Sequence, residues 1–467
     1  MALYTIPMWL FLILFPLLLV LLLKKIQSLK ILNKRLPPSP PKLPVLGNLH
    51  QLGELPHQSL RLLSNKYGPV MLLKLGRIPL TVISSAQAAR DVLKNHDLDC
   101  CSRPPLTGTR KLTYNYLDMA FSPYSEHWRE IRKICVLELF SLKRTQSFHI
   151  VFRMAFGKRF RGSKFDNHRF EELVHAAESV LGGFTANECF PYIGWIIDRL
   201  TSYHAKLERV FHELDTLFQQ IIDDHLKPER SKQEVQEDFI DVMLKIEREE
   251  TESRLSKDHI KAVLLVIDTS AITVIWAMAE LAKNPRLMHK AQDEVRKCIG
   301  QKGRVTESDI DKLVYLKMII KETLRLHPPA PLLIPREAIS QFNVNGYNIY
   351  PKTLIQVNAW AIGRDPKYWN NPEEFSPERF MNNSIDLKGQ NFEFLPFGSG
   401  RRSCPAMHMG LITSELALAN LLYCFDWKLP NGMKEDDLNM DESAGVSLTV
   451  SKKIPLILVP VNYLQQP

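Results

Sequence analysis

The stretch FLPFGSGRRSCPAMHMG, residues 394–410, places Cys404 between a glycine-rich loop and an apolar segment. Gly398 and Gly400 carry no Cβ, so the backbone can turn sharply there and approach the sulfur closely. The apolar residues that follow predict a helix from Pro405 onward. The N–H groups that open such a helix would face Cys404 with the positive end of the helix dipole. This placement favours a thiolate, the form of cysteine that binds a metal.

A lone cysteine in a loop is most often structural. Here Arg401 and Arg402 add positive charge beside an anionic ligand or the carboxylates of a cofactor. The spacing of Phe397, Gly400, Arg402 and Cys404 resembles the haem-thiolate loop of the cytochrome P-450 superfamily. The resemblance implies that Cys404 is the axial ligand of the iron of haem b, and that Phe397 and Arg402 contact the cofactor.

Two further motifs precede this loop in the chain. Glu322 and Arg325, in KETLRLHPP, are three residues apart and share one face of a predicted helix, while Arg379 follows in PERF. Taken alone, such a pair is usually a solvated surface ion pair. The resemblance implies that the three form a buried network behind the Cys404 loop, where an arginine fork binds a carboxylate in two places.

The segment EHWREIRK places Trp128 and Arg132 four residues apart on one helix face. The ordinary interpretation is an aromatic–cation pair on the surface of a helix. The resemblance implies instead that both side chains contact the haem propionates, with Arg336 and Arg402 as further cationic contacts.

The chain carries a net charge of +9, which suits an anionic membrane surface, an acidic protein partner or nucleic acid. No arginine-rich run with interleaved aromatic residues is present, so nucleic acid is set aside. Arg129 and Lys133 form a basic stripe beside Trp128; such stripes are usually only solvated. The resemblance implies that this one docks NADPH–cytochrome reductase, a separate flavoprotein that donates electrons.

The segment expected to handle oxygen departs from the family pattern. The resemblance implies that Asp268 and Thr269 are the catalytic residues, because an acid beside an alcohol suits a proton relay. Leu265 and Val266 stand where the family has small residues, and these bulky side chains are expected to crowd the distal space. The predicted helix before Asp268 is also about five residues shorter than in the family. This difference would shift the residues upstream of it by about 7.5 Å along the helix and rotate them by about 140°.

A second gap is expected near His149. SLKRTQSF resembles the end of one helical region, and IVFRMAFGKRF resembles the middle of a later one. Several tens of residues that the family has between them are expected to be absent. A packed core tolerates loss of a loop better than loss of a whole helix, so an alternative transcript or an imperfect gene model is one interpretation.

Residues 1–23 include an uncharged apolar run, 5–23, long enough to cross a hydrocarbon core of about 30 Å. The lysines and arginine that follow predict a single-pass signal anchor with the body of the protein on the cytosolic side of the endoplasmic reticulum membrane. Residues 24–48 are basic and proline-rich and predict a stiff linker. Residues 49–467 are expected to form one haem-binding monooxygenase domain. Its seven cysteines are scattered without metal-site spacing, which indicates neither a disulfide framework nor a zinc site.

The fold class expected for this domain is mainly α with small β-sheets (α+β), as in the cytochrome P-450 fold. Apolar residues recur at helical spacing over 57–66, 86–95, 124–138, 205–226, 260–283, 286–299, 307–326 and 406–423. Alternating or β-branched runs predict strands near 69–74, 79–84, 343–350 and 446–460.

The wording of PPSPPKLPVLGNLHQLG and AIGRDPKYWNNPEEFSPERF looks like the large plant clade of microsomal P-450 monooxygenases of specialised metabolism. The implied reaction inserts one oxygen atom from dioxygen into a small apolar metabolite. Segments expected to contact the substrate are 103–120, 184–200, the helix before Asp268, 329–334 and 444–448. Two alternatives stay open: a shortened, catalytically impaired haem protein that lacks dioxygen activation, and a haem-thiolate isomerase or dehydratase.

Overall fold

The structure, a computed structural model, describes residues 36–139, 167–227, 239–249, 255–265 and 269–463. The expected anchor at 1–23, most of the linker, the expected gap near His149, and both Val266 and Asp268 lie outside these residues. The single-domain organisation and the two gaps therefore stay predictions.

Helices dominate the described residues, as the apolar spacing predicts. Local sequence explains several helix ends: Pro56 and Pro285 stand at first positions, where no N–H partner is needed, and Ser125 Oγ caps a helix by accepting the N–H of Trp128. The helices are α1 Pro56–Tyr67, α2 Ala86–Arg90, α3 Thr107–Leu112, α4 Glu126–Ile134, α5 Asn167–Gly182, α6 Ala186–Cys189, α7 Gly194–Leu200, α8 Tyr203–His225, α9 Phe239–Glu249, α10 Lys257–Leu264, α11 Thr269–Lys283, α12 Pro285–Ile299, α13 Glu307–Ile310, α14 Val314–Leu326, α15 Ala359–Ile362 and α16 Met407–Cys424. One π-helical turn continues α2 over Asp91–Asn95, and another continues α4 over Cys135–Leu139.

Three small sheets accompany the helices. The largest has the strand order β1-β2-β6-β3, with β2 and β6 parallel and the other neighbours antiparallel; β4 pairs with β5 and β7 with β8. The strands are β1 Val70–Leu75, β2 Ile78–Ile83, β3 Arg336–Glu337, β4 Phe342–Val344, β5 Tyr347–Ile349, β6 Leu354–Val357, β7 Phe425–Lys428 and β8 Val459–Asn462. The α+β prediction is thus confirmed for the described residues.

The core consists of neighbouring apolar clusters on either side of the Cys404 region. One packs α11, α12, α14 and α16 together through fully buried residues such as Ala277, Leu316 and Leu418. Another packs α4, α5, α8, α9 and α10, with Leu217 and Ile260 at its centre. The sheet residues form two further clusters. Because these clusters flank one another, the segments between them can line a shared cavity.

The strand predicted near 446–460 is mostly wrong. Only Val459–Asn462 forms a strand there, paired with the unpredicted strand Phe425–Lys428. The alternating apolar residues upstream of Val459 have a different cause. Leu448 packs against the helical cluster around α5 and α8 instead of extending a sheet.

The segment Lys257–Lys283, of which the structure describes 257–265 and 269–283, is long and apolar enough to cross a membrane by length and composition. Of its most apolar window, 67% is buried inside the protein, as is typical of the core of a soluble domain.

Candidate cofactor and substrate cavity

A single cavity brings together most of the side chains that the motifs predict. Its walls come from the Cys404 loop, the first turns of α11 and α16, strand β6, and the segments 329–334 and 448–449. Of the predicted site residues, the lining includes Thr269, Arg132, Arg336, Phe397, Arg402 and Cys404. Motifs more than 250 residues apart in sequence thus face one space.

Cys404 is held at the end of the loop by its own backbone. Its N–H donates to the carbonyl of Phe397 at 2.9 Å, and α16 begins three residues later. Burial raises the pKa of the Cys404 thiol, while the backbone N–H of Ala406 and the charge of Arg132 act in the opposite direction. A metal ion at the sulfur would deprotonate it outright.

The glycines of the loop permit this approach. Gly398 and Gly400 have φ of +67° and +70°, in the left-handed region that favours glycine. At Gly400 a Cβ would lie 2.3 Å from the carbonyl oxygen of Leu93, so no other residue fits without movement of the backbone. The prediction of a sharp turn at these two glycines is confirmed.

Four arginines converge on the same wall as Cys404, and three of them bond only neutral acceptors. Arg103 donates to the carbonyls of Ala120, Ile334 and Pro335 at 2.6–2.9 Å. Arg132 donates to Ser403 O at 2.8 Å and to Ser403 Oγ. Arg402 donates to the carbonyls of Cys101 and Ser122, and its Nη1 is buried with no partner among the described residues.

Arg336, the fourth, has an acidic partner. Its Nη1 donates to Asp97 Oδ1 at 2.7 Å, and its Nη2 donates to the carbonyl of Ser399 at 2.8 Å. The same carboxylate accepts the backbone N–H of Arg401. Asp97 is therefore already shared, and it leaves the other arginines uncompensated.

This wall carries more positive than negative charge. Burial and the nearby charge of Arg336 lower the pKa of Arg402 to about 10, and burial lowers the pKa of Arg103 and Arg132. Asp118 lies near Arg402, but burial raises the pKa of that carboxyl. Uncompensated buried cations call for an anionic ligand. The two carboxylates of a haem fit this wall, and the Cys404 sulfur, which shares the same cavity, fits the iron.

Trp128 does not line the cavity. Its indole N–H donates to the carbonyl of Met119 at 2.9 Å, and its ring lies under the guanidinium carbons of Arg402, at 4.1 Å, and Arg132, at 5.6 Å. Contact between Trp128 and the propionates stays a prediction. The geometry shows Trp128 supporting the two arginines that face the cavity.

Helix α11 brings hydroxyl groups to the cavity. Thr269, Ser270 and Thr273 line it from the start of α11, and Thr273 Oγ1 donates to the Thr269 carbonyl at 3.1 Å. Val263 reaches the cavity from α10, whereas Leu265 packs on the apolar cluster beside α8. Crowding of the cavity by Leu265 is therefore not what the structure shows, and Asp268 lies outside the described residues.

The network predicted behind the loop is confirmed. Both carboxylate oxygens of Glu322 accept bonds from Arg325, at 2.7 and 2.8 Å, and Arg379 Nε donates to Glu322 Oε1 at 2.8 Å. Glu322 is fully buried. Arg325 also lies over the ring of Trp369, which packs edge-on against Phe394 at the start of the loop. The network thus supports the loop without touching the cavity.

The substrate segments expected from the sequence are met in part. Parts of 103–120 and of 329–334 line the cavity, as do Val263 in the helix before Asp268 and Leu448, but no residue of 184–200 does. Thr449 was not predicted, although it lies on the cavity wall. Arg103 was predicted only as part of a substrate segment; no residue pairs with it at a characteristic spacing, so the sequence gives no sign of its place among the arginines beside Cys404. Thr449 follows directly on the expected segment 444–448.

Known proteins share both the sequence and the fold. The Cytochrome P450 family profile matches residues 37–151 and 144–457. Cytochrome P450 71B10 of Arabidopsis thaliana is 51% identical over 477 residues, which is 92% of this chain and 94% of the relative. Cytochrome P450 71B20 of the same plant is 51% identical over 487 residues, which is 94% of this chain and 96% of the relative.

A solved structure of a zebrafish cytochrome P450 with progesterone superposes with a TM-score of 0.68 at 24% identity, covering 85% of this chain and 98% of that one. The alignment with 71B10 is longer than this entire chain of 467 residues, so it includes positions where the relative has a residue and this chain has none. By its sequence and its fold, the chain belongs to the cytochrome P450 family of haem-binding monooxygenases, among the plant members of the 71 clade.

Proposed function

We propose that Cys404 is the axial ligand of a haem b whose propionates bind Arg132, Arg336 and Arg402, and that this holoprotein oxygenates a small apolar plant metabolite. The observation that carries the proposal is the wall beside Cys404, where the buried Arg103 and Arg402 and the half-buried Arg132 bond neutral carbonyls and hydroxyls and have no carboxylate partner among the described residues. Arg103, which shares that wall, is a further candidate for a propionate. Phe397 lines the same space and would contact the haem there.

A thiolate-ligated haem supplies the chemistry that places one atom of dioxygen in the substrate and reduces the other to water with two electrons. The protein supplies the surroundings. Mostly apolar side chains line the cavity, and the proposed role of the Thr269 hydroxyl, which also lines it, is to hold a proton there. Asp268 precedes Thr269 in the chain and is the proposed partner in that relay.

Electrons come from NADPH through a separate reductase, and the protein sits on the cytosolic face of the endoplasmic reticulum membrane. The uncharged run at residues 5–23 followed by basic residues supports the single-pass anchor. Arg129 and Lys133 support the docking site, because both are exposed on α4, the helix that also carries Arg132.

The test is turnover of the full chain in microsomes that contain a P450 reductase. NADPH-dependent oxygen incorporation from labelled dioxygen into a product is the expected result. Turnover that persists without NADPH and reductase would point to the isomerase or dehydratase alternative. Absence of turnover with a correctly assembled haem would leave the impaired alternative.

A second candidate function is a haem protein that lacks dioxygen activation. It is favoured by the alignment with 71B10, which contains positions absent from this chain, and by the family profile, whose two matching segments meet at 144–151. That junction coincides with the gap expected near His149. Sequencing of the transcript and of the exons around codons 149 and 266 separates a natural short form from an error in the gene model.

A further inference from the structure

The C-terminal segment beside the cavity is fastened to helix α5. A Cβ on Gly182, the last residue of α5, would lie 2.6 Å from the backbone of Ser447 and Leu448, so only a glycine allows this close approach. The N–H of Leu448 donates to the carbonyl of Glu178, one turn earlier in α5. These contacts hold Leu448 and Thr449 at the cavity wall.

The hydroxyl of Thr449 is oriented by a buried carboxylate. Thr449 is 5% exposed, Glu178 is 8% exposed, and Thr449 Oγ1 donates its proton to Glu178 Oε2. Burial raises the pKa of the Glu178 carboxyl, and its hydrogen bonds with Thr449 and Ser447 act in the opposite direction. In its ionised form the carboxylate can only accept hydrogen bonds, and a threonine hydroxyl has a single proton to give. With that proton committed, the Thr449 oxygen keeps only lone pairs for a ligand.

Two other cavity hydroxyls are committed in the same way. Thr273 donates to the Thr269 carbonyl and Ser414 donates to the Gly410 carbonyl. The arginines on the Cys404 wall are pure donors, and under the proposed function the haem propionates engage them. A substrate that reaches Thr449 therefore meets a hydroxyl oxygen that acts as a hydrogen-bond acceptor in apolar surroundings.

We propose that Thr449 is a specificity-determining residue that selects neutral, mostly apolar substrates carrying a hydroxyl or N–H group, and that Glu178 positions it. This inference deepens the proposed function, because it assumes that the cavity beside Cys404 receives the substrate. Glu178 acts only through Thr449; it does not line the cavity.

The experiment compares two ligands of one shape, 2-adamantanol, which donates a hydrogen bond, and 2-adamantanone, which only accepts. Isothermal titration calorimetry on the detergent-solubilised full chain reports binding whether or not haem is loaded. The alcohol is expected to bind about tenfold more tightly, the scale of one net hydrogen bond. Equal affinities, tighter binding of the ketone, or no binding of the alcohol would overturn the proposal.

Four variants identify the group responsible. Thr449→Val is isosteric and should bring the affinity ratio to about one, whereas Thr449→Ser should keep it. Glu178→Gln should lower the ratio, because an amide both donates and accepts and no longer fixes the hydroxyl. Thr273→Val, the matched control on α11, should keep it. If the preference for the alcohol is lost in Thr273→Val but retained in Thr449→Val, the assignment of this preference to Thr449 is contradicted.

A reduced carbon-monoxide difference spectrum of each preparation separates this inference from the proposed function. A preference for the alcohol without a thiolate-type band means that the haem assignment fails and the assignment of Thr449 stands. A normal thiolate-type band with no preference for the alcohol means that the haem assignment stands and the assignment of Thr449 fails.

Discussion

Arg402 offers the most direct test of the positive charge on the cavity wall. Within the part of the chain that the structure describes, its Nη1 is buried without a hydrogen-bond partner, while its other nitrogens bond backbone carbonyls. A buried cation in this condition is satisfied by an anionic ligand, and a hydrogen bond to a charged group contributes about 1.5–3 kcal/mol. Substitution of Arg402 therefore distinguishes a role in binding the cofactor from a purely structural role.

We expect Arg402→Gln to weaken haem binding by about ten- to a hundredfold, through loss of one charge-assisted contact. The rate of haem transfer to apomyoglobin measures the effect. Arg401→Gln is the matched control, because the neighbouring Arg401 side chain is 48% exposed and leans on Asp97 only at 3.6 Å. Equal transfer rates for the two variants would contradict a contact between Arg402 and a propionate.

At the residue scale, the sequence was informative where a residue type and a spacing coincide with a chemical need. Cys404 behind two glycines, and Glu322 three residues before Arg325, were predicted on that basis, and the structure gives the predicted loop and the predicted network. Thr449 carried no such signal, because its partner Glu178 lies on a helix 271 residues away. Pairings of that kind are set by tertiary packing.

At the scale of elements, the loop before Cys404 depends on glycine for two separable reasons. Gly400 has a positive φ, and a Cβ there would meet both Leu93 O at 2.3 Å and Asp97 Oδ1 at 2.6 Å. Gly303 has a φ of +82° but open space around it. A comparison of substitutions at Gly400 and Gly303 therefore separates the cost of a positive φ from the cost of a steric clash.

We expect Gly303→Ala to lower the free energy of unfolding by about 1–2 kcal/mol, the cost of the left-handed conformation alone. Gly400→Ala should cost at least about 2 kcal/mol more, because the backbone of α2 or of the loop must move. Urea unfolding of both variants measures the difference. Equal losses would mean that the close approach at Gly400 is relieved without strain.

Glu442 joins the C-terminal segment to helices α1 and α15. It accepts bonds from His57 and Gln58 at 2.7 Å and from the indole of Trp360 at 3.2 Å. Burial favours a raised pKa, but His57, Gln58 and the charge of Arg364 prevail and lower the pKa of Glu442 to about 2. The carboxylate thus contributes stability that depends on pH.

Because the folded pKa lies below the unfolded value, this stability is present above the unfolded pKa and is lost as pH falls from about 5 to about 2. The loss is on the order of 3 kcal/mol. Chemical denaturation across that range measures it, and Glu442→Gln should remove this part of the pH dependence while lowering stability at neutral pH. An unchanged pH profile in the variant would contradict the assignment to Glu442.

The element order was largely predictable, and the exception has a physical reason. Helices such as Tyr203–His225 and Pro285–Ile299 are predictable from the spacing of their apolar residues, because one face of each is buried. The stretch 446–458 alternates like a strand, yet in the part of the chain that the structure describes it pairs only through an isolated antiparallel bridge between Glu442 and Lys452. Its apolar residues pack elsewhere: Leu448 joins the cluster around α5 and α8, and Leu456 and Leu458 join the cluster of α11, α12, α14 and α16.

At the scale of the whole molecule, family membership and catalytic competence are different questions. The fold assembles the Cys404 wall from segments between Arg103 and Arg402, and these lie on both sides of the gap expected near His149. The described residues thus form a proximal wall that fits a haem. The proposed activity depends further on the predicted relay of Asp268 and Thr269.

The measurement that tests the central claim most directly is the reduced carbon-monoxide difference spectrum of the full chain in microsomes, beside Cys404→Ser as control. We predict a thiolate-type Soret band in the native protein and its loss in the variant, because serine keeps the loop but removes the sulfur ligand. A native protein without that band, or a band that survives in Cys404→Ser, would contradict the claim that Cys404 holds the haem iron.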